Sequence, residues 1–281
     1  MKKKEQVQEP NIQEVADVEA VPVSEQNIVF KPNAGPQTDF LAAGEREVLY
    51  GGSAGGGKSY AMLADPLRYM GHPSFSGLLL RHTTEELREL IYKSKEIYPQ
   101  IWKGIKWSER KMQWEAPSGA RLWMSYLDRE DDVLRYQGLA FSWIGFDELT
   151  QWATPYAWNY MRSRLRSVAS DLPVYMRATT NPGGPGHQWV KKMFIDPAPY
   201  GRSFNATDIE SGNVLSYPKG HSKAGQALFK RRFIPARLSD NPYLSAQGDY
   251  EAMLLSLPEH QRKQLLEGDW DIKEGAAFSE F

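Results

Sequence analysis

Short apolar blocks recur along most of this chain, separated by glycine, proline and charged residues, and their periods alternate between strand-like and helix-like. Glu47-Val48-Leu49-Tyr50 predicts a strand, and the good helix formers from Ser59 to Met70 predict a helix that Pro66 kinks or shortens and Gly71-His72-Pro73 ends. Leu78-Leu79-Leu80-Arg81 predicts a buried strand. A helix capped by Thr83 or Thr84 follows, with apolar positions at 87, 90, 91 and 97 and a stop at Pro99. Met112 to Glu115 and Leu122 to Tyr126, around Pro117-Ser118-Gly119, predict a hairpin. Then come a strand from Phe141 to Phe146, a helix from Tyr156 to Val168 and a strand from Val174 to Thr179. Beyond Asn241 the pattern is helical, in pieces at 250–257 and 259–266 split by Pro258. Strands alternating with helices predict an α/β fold with a mainly parallel sheet flanked by helices. Residues 1–28 show neither period and are expected to be a disordered tail ahead of a core at 29–240 and a helical linker at 241–281.

Composition narrows the function. The 281 residues are 41% hydrophobic and 25% charged, as in globular proteins. Thirty-four basic against 35 acidic residues give a net charge of -1, so any polyanion must be met by a local patch. Two basic runs, 159–192 and 219–237, are candidate tracks for a DNA backbone. The absence of cysteine excludes disulfides, a thiol nucleophile and cysteine metal sites. No apolar run of membrane-spanning length occurs, and Met1-Lys2-Lys3-Lys4 leads into a polar stretch, so a soluble, unexported chain is expected. The five histidines are too scattered for a zinc site, and the tryptophans are expected mostly in the core.

The strongest chemical signal is Gly52-Ser53-Ala54-Gly55-Gly56-Gly57-Lys58-Ser59, a G-x-x-x-x-G-K-[ST] pattern between a strand and a helix. Glycines let backbone N–H groups wrap a triphosphate without Cβ clashes. Lys58 would reach the β and γ phosphates, and the Ser59 hydroxyl would hold Mg²⁺. Asp147-Glu148 closes an apolar strand and supplies the acids such a loop needs: Asp147 for Mg²⁺, and Glu148 to deprotonate the attacking water. A base for water argues against a small-molecule kinase, which must keep phosphate from water. A nucleotide-dependent regulator that never moves DNA stays open.

These residues resemble the large terminase subunit of tailed bacteriophages. The resemblance rests on Tyr50 to Ser59, on Arg81-His82-Thr83-Thr84-Glu85-Glu86-Leu87, and on Tyr136-Gln137-Gly138 ahead of Ile144 to Thr150. Thr179-Thr180-Asn181-Pro182-Gly183, Leu257-Pro258-Glu259 and Leu266-Glu267-Gly268-Asp269-Trp270 extend it. It implies a RecA-like P-loop NTPase with a small C-terminal helical linker subdomain, followed in such subunits by an RNase H-like nuclease. This chain stops at Phe278-Ser279-Glu280-Phe281, about where the nuclease would begin, so DNA cleavage is not expected of it. The resemblance further implies ATP and Mg²⁺ as ligands, Gln37 as an adenine contact, and Thr180 and Asn181 as sensors of the γ phosphate. Arg135 is the favoured arginine finger acting on a neighbouring subunit, with Arg162 and Arg164 next. The implied partners are double-stranded DNA, the procapsid portal, the small terminase subunit and a homo-oligomeric ring, with no membrane. The implied setting is the host bacterial cytoplasm, with transient docking on the procapsid and no retention in the mature virion.

Overall fold

The computed structural model describes residues 28–198, 201–246 and 248–272. All but the last residue of the expected tail, and 273–281 of the expected linker, lie outside them.

Nine strands among the described residues form one sheet: β1 (Glu47–Gly52), β2 (Ser76–Arg81), β3 (Lys106–Ser108), β4 (Gln113–Glu115), β5 (Arg121–Tyr126), β6 (Trp143–Asp147), β7 (Tyr175–Thr180), β8 (Ser203–Asn205) and β9 (Lys230–Ala236). Their order is β3-β4-β5-β2-β6-β7-β1-β9-β8. The six from β5 to β9 run parallel, and β3, β4 and β8 add antiparallel edges. The fold is therefore α/β with a mostly parallel central sheet. Register places Gly52 opposite Ala236, Gly51 opposite Thr180, and Asp147 opposite Thr179, so the chemically marked residues share the carboxyl edge. Ligands of parallel sheets bind at that edge.

Alternation along each strand feeds two cores. Leu78 and Leu80 of β2 join Ile144, Phe146, Met176 and Trp158 on one face, while Leu79 joins Met62, Leu87, Met124 and Trp143 on the other. Helix α1 (Pro36–Ala42) packs beside β1 and β9. Helix α2 (Lys58–Ala64) gives way at Pro66 to a 3-10 turn, as the proline requires. The helix α2 face of β6 is flat at Gly145, where a Cβ would fall 2.8 Å from Met62 Sδ. A glycine there lets the helix sit close. Helix α3 (Thr84–Ile101) opens on a capping box, with Glu86 N–H donating to Thr83 Oγ1 and Thr83 N–H to Glu86 Oε2, both at 3.3 Å. It buries Leu87, Leu90, Ile91, Ser94 and Tyr98 along one stripe and carries Pro99 near its end instead of stopping before it.

The remaining helices are short: α4 (Tyr156–Arg162), α5 (His187–Val190), α6 (Pro242–Ser245), α7 (Asp249–Leu255) and α8 (Glu259–Arg262), the last continuing through a wider turn at Lys263–Glu267. Helix α4 ends six residues before the expected Val168, because the chain turns back at Ser163 to bridge Leu165 with Phe141. Trp114, Trp143, Trp152, Trp158, Trp189 and Trp270 are buried, as expected of core residues.

The fold turns part of the two basic runs inward. Residues 230–236, inside the second run, form β9 beside the P-loop strand. Arg231 is buried and its Nε lies 2.6 Å from Glu47 Oε2, while Arg162 binds the other oxygen of the same buried carboxylate. Arg177 is also buried, donating to the carbonyls of Ala43 and Glu45. Three of the twelve basic side chains in these runs thus serve the interior.

Candidate nucleotide site

The glycine loop leaves β1 with Gly52 at φ 133°, where a Cβ would stand 2.3 Å from the Ala236 carbonyl oxygen. Only glycine fits that approach. Gly55 and Gly57 also take left-handed conformations, at φ 78° and 76°, and Gly57 directly precedes α2. Tyr50 hydroxyl donates to Gly56 O at 2.7 Å and Asn241 Nδ2 to Gly55 O at 2.7 Å, so the loop is braced from both sides. Gly52, Ser53, Ala54, Gly55, Gly56, Gly57, Lys58 and Ser59 thus form one continuous strand-loop-helix passage. Lys58 is buried, and its ammonium donates to Ser53 O at 2.6 Å and Asn181 Oδ1 at 2.7 Å. Burial pulls its pKa down, with Glu148 and Asp147 opposing.

Strand β7 lies between β1 and β6, so its end sits between the loop and the acids. Asp147 is buried, with one oxygen accepting from the Thr179 hydroxyl and the other 2.7 Å from Arg81 Nη1. Glu148 stands in the left-handed region at φ 59° and ψ 59°. Such a conformation costs a residue with a side chain on the order of 1–3 kcal/mol and is held in place by its surroundings. Here its carboxylate accepts from Asn181 N–H at 3.3 Å and Thr180 hydroxyl at 3.4 Å. The Thr180 hydroxyl is in turn 2.7 Å from that of Thr150. Burial and the neighbouring Asp147 charge push the Glu148 carboxyl above the usual range, against the pull of Lys58, Arg81 and the Asn181 N–H. A carboxylate so raised is suited to accept a proton.

Oxygen donors at Ser59 and Asp147 match a hard cation such as Mg²⁺. Among the described residues no group of three or more His, Asp or Glu could hold a metal alone.

Beside the loop, Phe30, Asn33, Gln37, Tyr60, Tyr243 and Leu244 help line a cavity of about 430 Å³. This is within the size range of small-ligand pockets. The Gln37 amide faces it while anchored at both ends, Nε2 donating to Gly57 O at 2.9 Å and Oε1 accepting from Asn33 N–H at 2.6 Å. Beyond these two bonds the amide keeps one hydrogen and one lone pair.

Arg135 lies on a 3-10 turn before β6, half exposed, paired with Asp132 at 3.2 Å and donating to the carbonyl of Tyr126 at the end of β5. It is therefore at the carboxyl edge but touches neither Asp147 nor Glu148 in any described contact. Arg162 is tied to Glu47 at the opposite end of β1, which removes it as a finger candidate. Arg164 stacks on Tyr160.

Sequence reading missed two parts of the site. One is Arg81, whose position closing an apolar strand was the available signal. The other is the C-terminal segment, which clasps the loop: Ala54 N–H donates to Leu265 O at 2.6 Å, Gln264 Nε2 to Pro182 O at 2.6 Å, and Trp270 stacks on His187 at 5.2 Å. The first of these is a main-chain contact, which leaves no mark in a sequence.

A glycine loop after one strand, with acids two strands away across β7, is the build of RecA-like P-loop folds, and this chain falls in that class. The family model for the phage terminase large subunit matches residues 45–224, and the chain belongs to that family. Its fold is similar to the large terminase of a thermophilic bacteriophage, with TM-score 0.61 at 17% identity over 89% of this chain and 57% of that one. The ADP complex of the same protein matches with TM-score 0.59 at 17% identity, over 85% of this chain and 54% of that one. The large terminase ATPase domain of Thermus phage P74-26 matches with TM-score 0.53 at 12% identity, over 86% and 94%. The chain thus spans little more than half of the thermophilic phage's large terminase and nearly all of the P74-26 ATPase domain. No curated protein matches it by sequence. Among the described residues no helix is long and apolar enough to cross a membrane.

Proposed function

We propose that this chain hydrolyses ATP and that hydrolysis drives double-stranded viral DNA into a procapsid. The observation that carries the reading is the Lys58 ammonium, held by Ser53 O and Asn181 Oδ1 in a braced glycine loop beside Asp147 and Glu148. In it, the loop N–H groups and Lys58 bind the phosphates, Gln37 reads the adenine edge, and Ser59 with Asp147 would hold Mg²⁺. The bound cation would neutralise charge on the phosphate oxygens. Glu148 takes the proton of the attacking water, and Thr180 and Asn181, already bonded to Glu148, position it and register the γ phosphate. Arg135 serves the site of a neighbouring subunit in a ring.

Residues 29–240 act as the ATPase core, and 241–281 as a linker toward a nuclease. The partners are duplex DNA, the procapsid portal and the small terminase subunit, met in the host cytoplasm. The ADP and ATP-gamma-S complexes of the thermophilic phage's large terminase support the ligand class. The test is ATP turnover with and without duplex DNA and portal. Stimulation by both together supports a packaging motor, and turnover indifferent to both favours a nucleotide-dependent regulator.

A further inference from the structure

Both oxygens of Asp147 are occupied by the protein itself. Thr179 hydroxyl takes one, and Arg81 Nη1 the other at 2.7 Å. The opposite side of the Arg81 guanidinium faces Glu86, with Nε 3.5 Å from its carboxylate and making no hydrogen bond. Glu86 cannot follow a moving arginine, because the α3 capping box and the Gln151 amide, 2.6 Å from Oε1, fix it. Arg81 is thus a mostly buried cation stretched between a fixed carboxylate and Asp147.

The charges explain why it is there. Asp147 and Glu148 are adjacent acids near the ammonium of Lys58, and Arg81 lies against Asp147 while its charge also favours the ionised form of Glu148. A divalent cation at Asp147 would compete with Arg81 for the same oxygen, and cation beside cation in a poorly solvated site is strongly unfavourable. A triphosphate changes the balance, since its oxygens offer the guanidinium fork a bidentate partner.

We propose that Arg81 stands in for the divalent cation at Asp147 in the nucleotide-free protein, releasing that carboxylate only when phosphates offer the guanidinium another anion. The consequence is an ordered site: metal alone is refused, and metal with nucleotide is accepted. The proposal rests on the nucleotide-site reading above.

The test is Mn²⁺ binding to the full chain without nucleotide, followed by electron paramagnetic resonance. Wild type should show no Asp147-dependent Mn²⁺ site. Arg81→Gln should gain one, with affinity raised roughly tenfold or more, and Arg81→Gln with Asp147→Asn should lose it again. Equal Mn²⁺ affinity in wild type and a folded Arg81→Gln overturns the proposal. So does a tight wild-type site abolished by Asp147→Asn, a measurement that needs no change at Arg81. A fluorescent ATP analogue separates the two levels. If it fails to bind wild type, the nucleotide-site reading falls and the proposal with it; if it binds in a Lys58-dependent way while Mn²⁺ affinities are equal, only the role of Arg81 falls.

Discussion

Lys58 Nζ and Asn181 Oδ1 lie 2.7 Å apart, so one hydrogen bond joins the glycine loop to the end of the strand that separates it from the acids. The lysine is thereby held in place by two of its three N–H donors, to Ser53 O and Asn181 Oδ1, which leaves the third for another acceptor. Asn181 is also the residue whose N–H holds Glu148. The loop and Glu148 are therefore coupled through a single residue.

Lys58→Ala should abolish turnover and weaken ATP binding severely, because it removes the loop's charged donor to the phosphates. Fluorescent-nucleotide titration and a phosphate-release assay measure both. Wild-type hydrolysis by the variant would refute the assignment of the loop.

Glu148→Gln should bind ATP with near wild-type affinity and lose hydrolysis by roughly 10²-fold or more, since the amide keeps the shape but takes no proton. Equal losses in binding and rate would make Glu148 structural. The wild-type pH profile carries the same signature. A base whose carboxyl lies above its ordinary value of 4.5 loses activity on acidification sooner than an exposed glutamate, so the acid limb of kcat/KM should fall above that value.

Glu47 should report on stability with the opposite sign. Burial pushes its carboxyl up, but Arg231 and Arg162 outweigh that and hold it below 4.5. Its contribution is present above 4.5 and is lost as pH falls through the lowered value. Glu47→Gln strands two guanidiniums, one of them fully buried, and should cost about 3–5 kcal/mol in urea unfolding. A loss under about 1 kcal/mol, the worth of an exposed pair, would show the network to be well solvated.

Arg135→Ala should leave nucleotide affinity nearly intact and remove any rise of turnover with protein concentration, if Arg135 acts on a neighbouring subunit. Mixing it with Glu148→Gln should restore part of the activity, because each subunit supplies what the other lacks. Mixed assemblies as inactive as their parts would move the finger elsewhere, with Arg164 next now that Arg162 is bound to Glu47.

The parts of the fold legible in the sequence were those whose signal is local. The strand before Gly52, the helix from Lys58, the strand ending at Asp147 and the hairpin of β4 and β5 each carry their own pattern. β9 was not legible because Lys230-Arg231-Arg232 looks solvated, and partners distant in sequence, Glu47 and the Thr207 carbonyl, make a buried arginine tolerable there. The same holds at the site. Glycines and acids announced themselves, whereas the Arg81 contact with Asp147 depends on β2 and β6 being neighbours, which no short window encodes.

The clasp on the glycine loop has a consequence for how the gene is free to drift. At Leu265 the contact is made by the carbonyl, which every amino acid carries, so codon changes there leave it in place. Gly268, three residues on, has φ 66°, and a Cβ would stand 2.6 Å from Ser53 N. A saturation library should therefore accept broad replacement at 265 and reject nearly all at 268. The working bond sits at one position, while the inherited constraint sits at another.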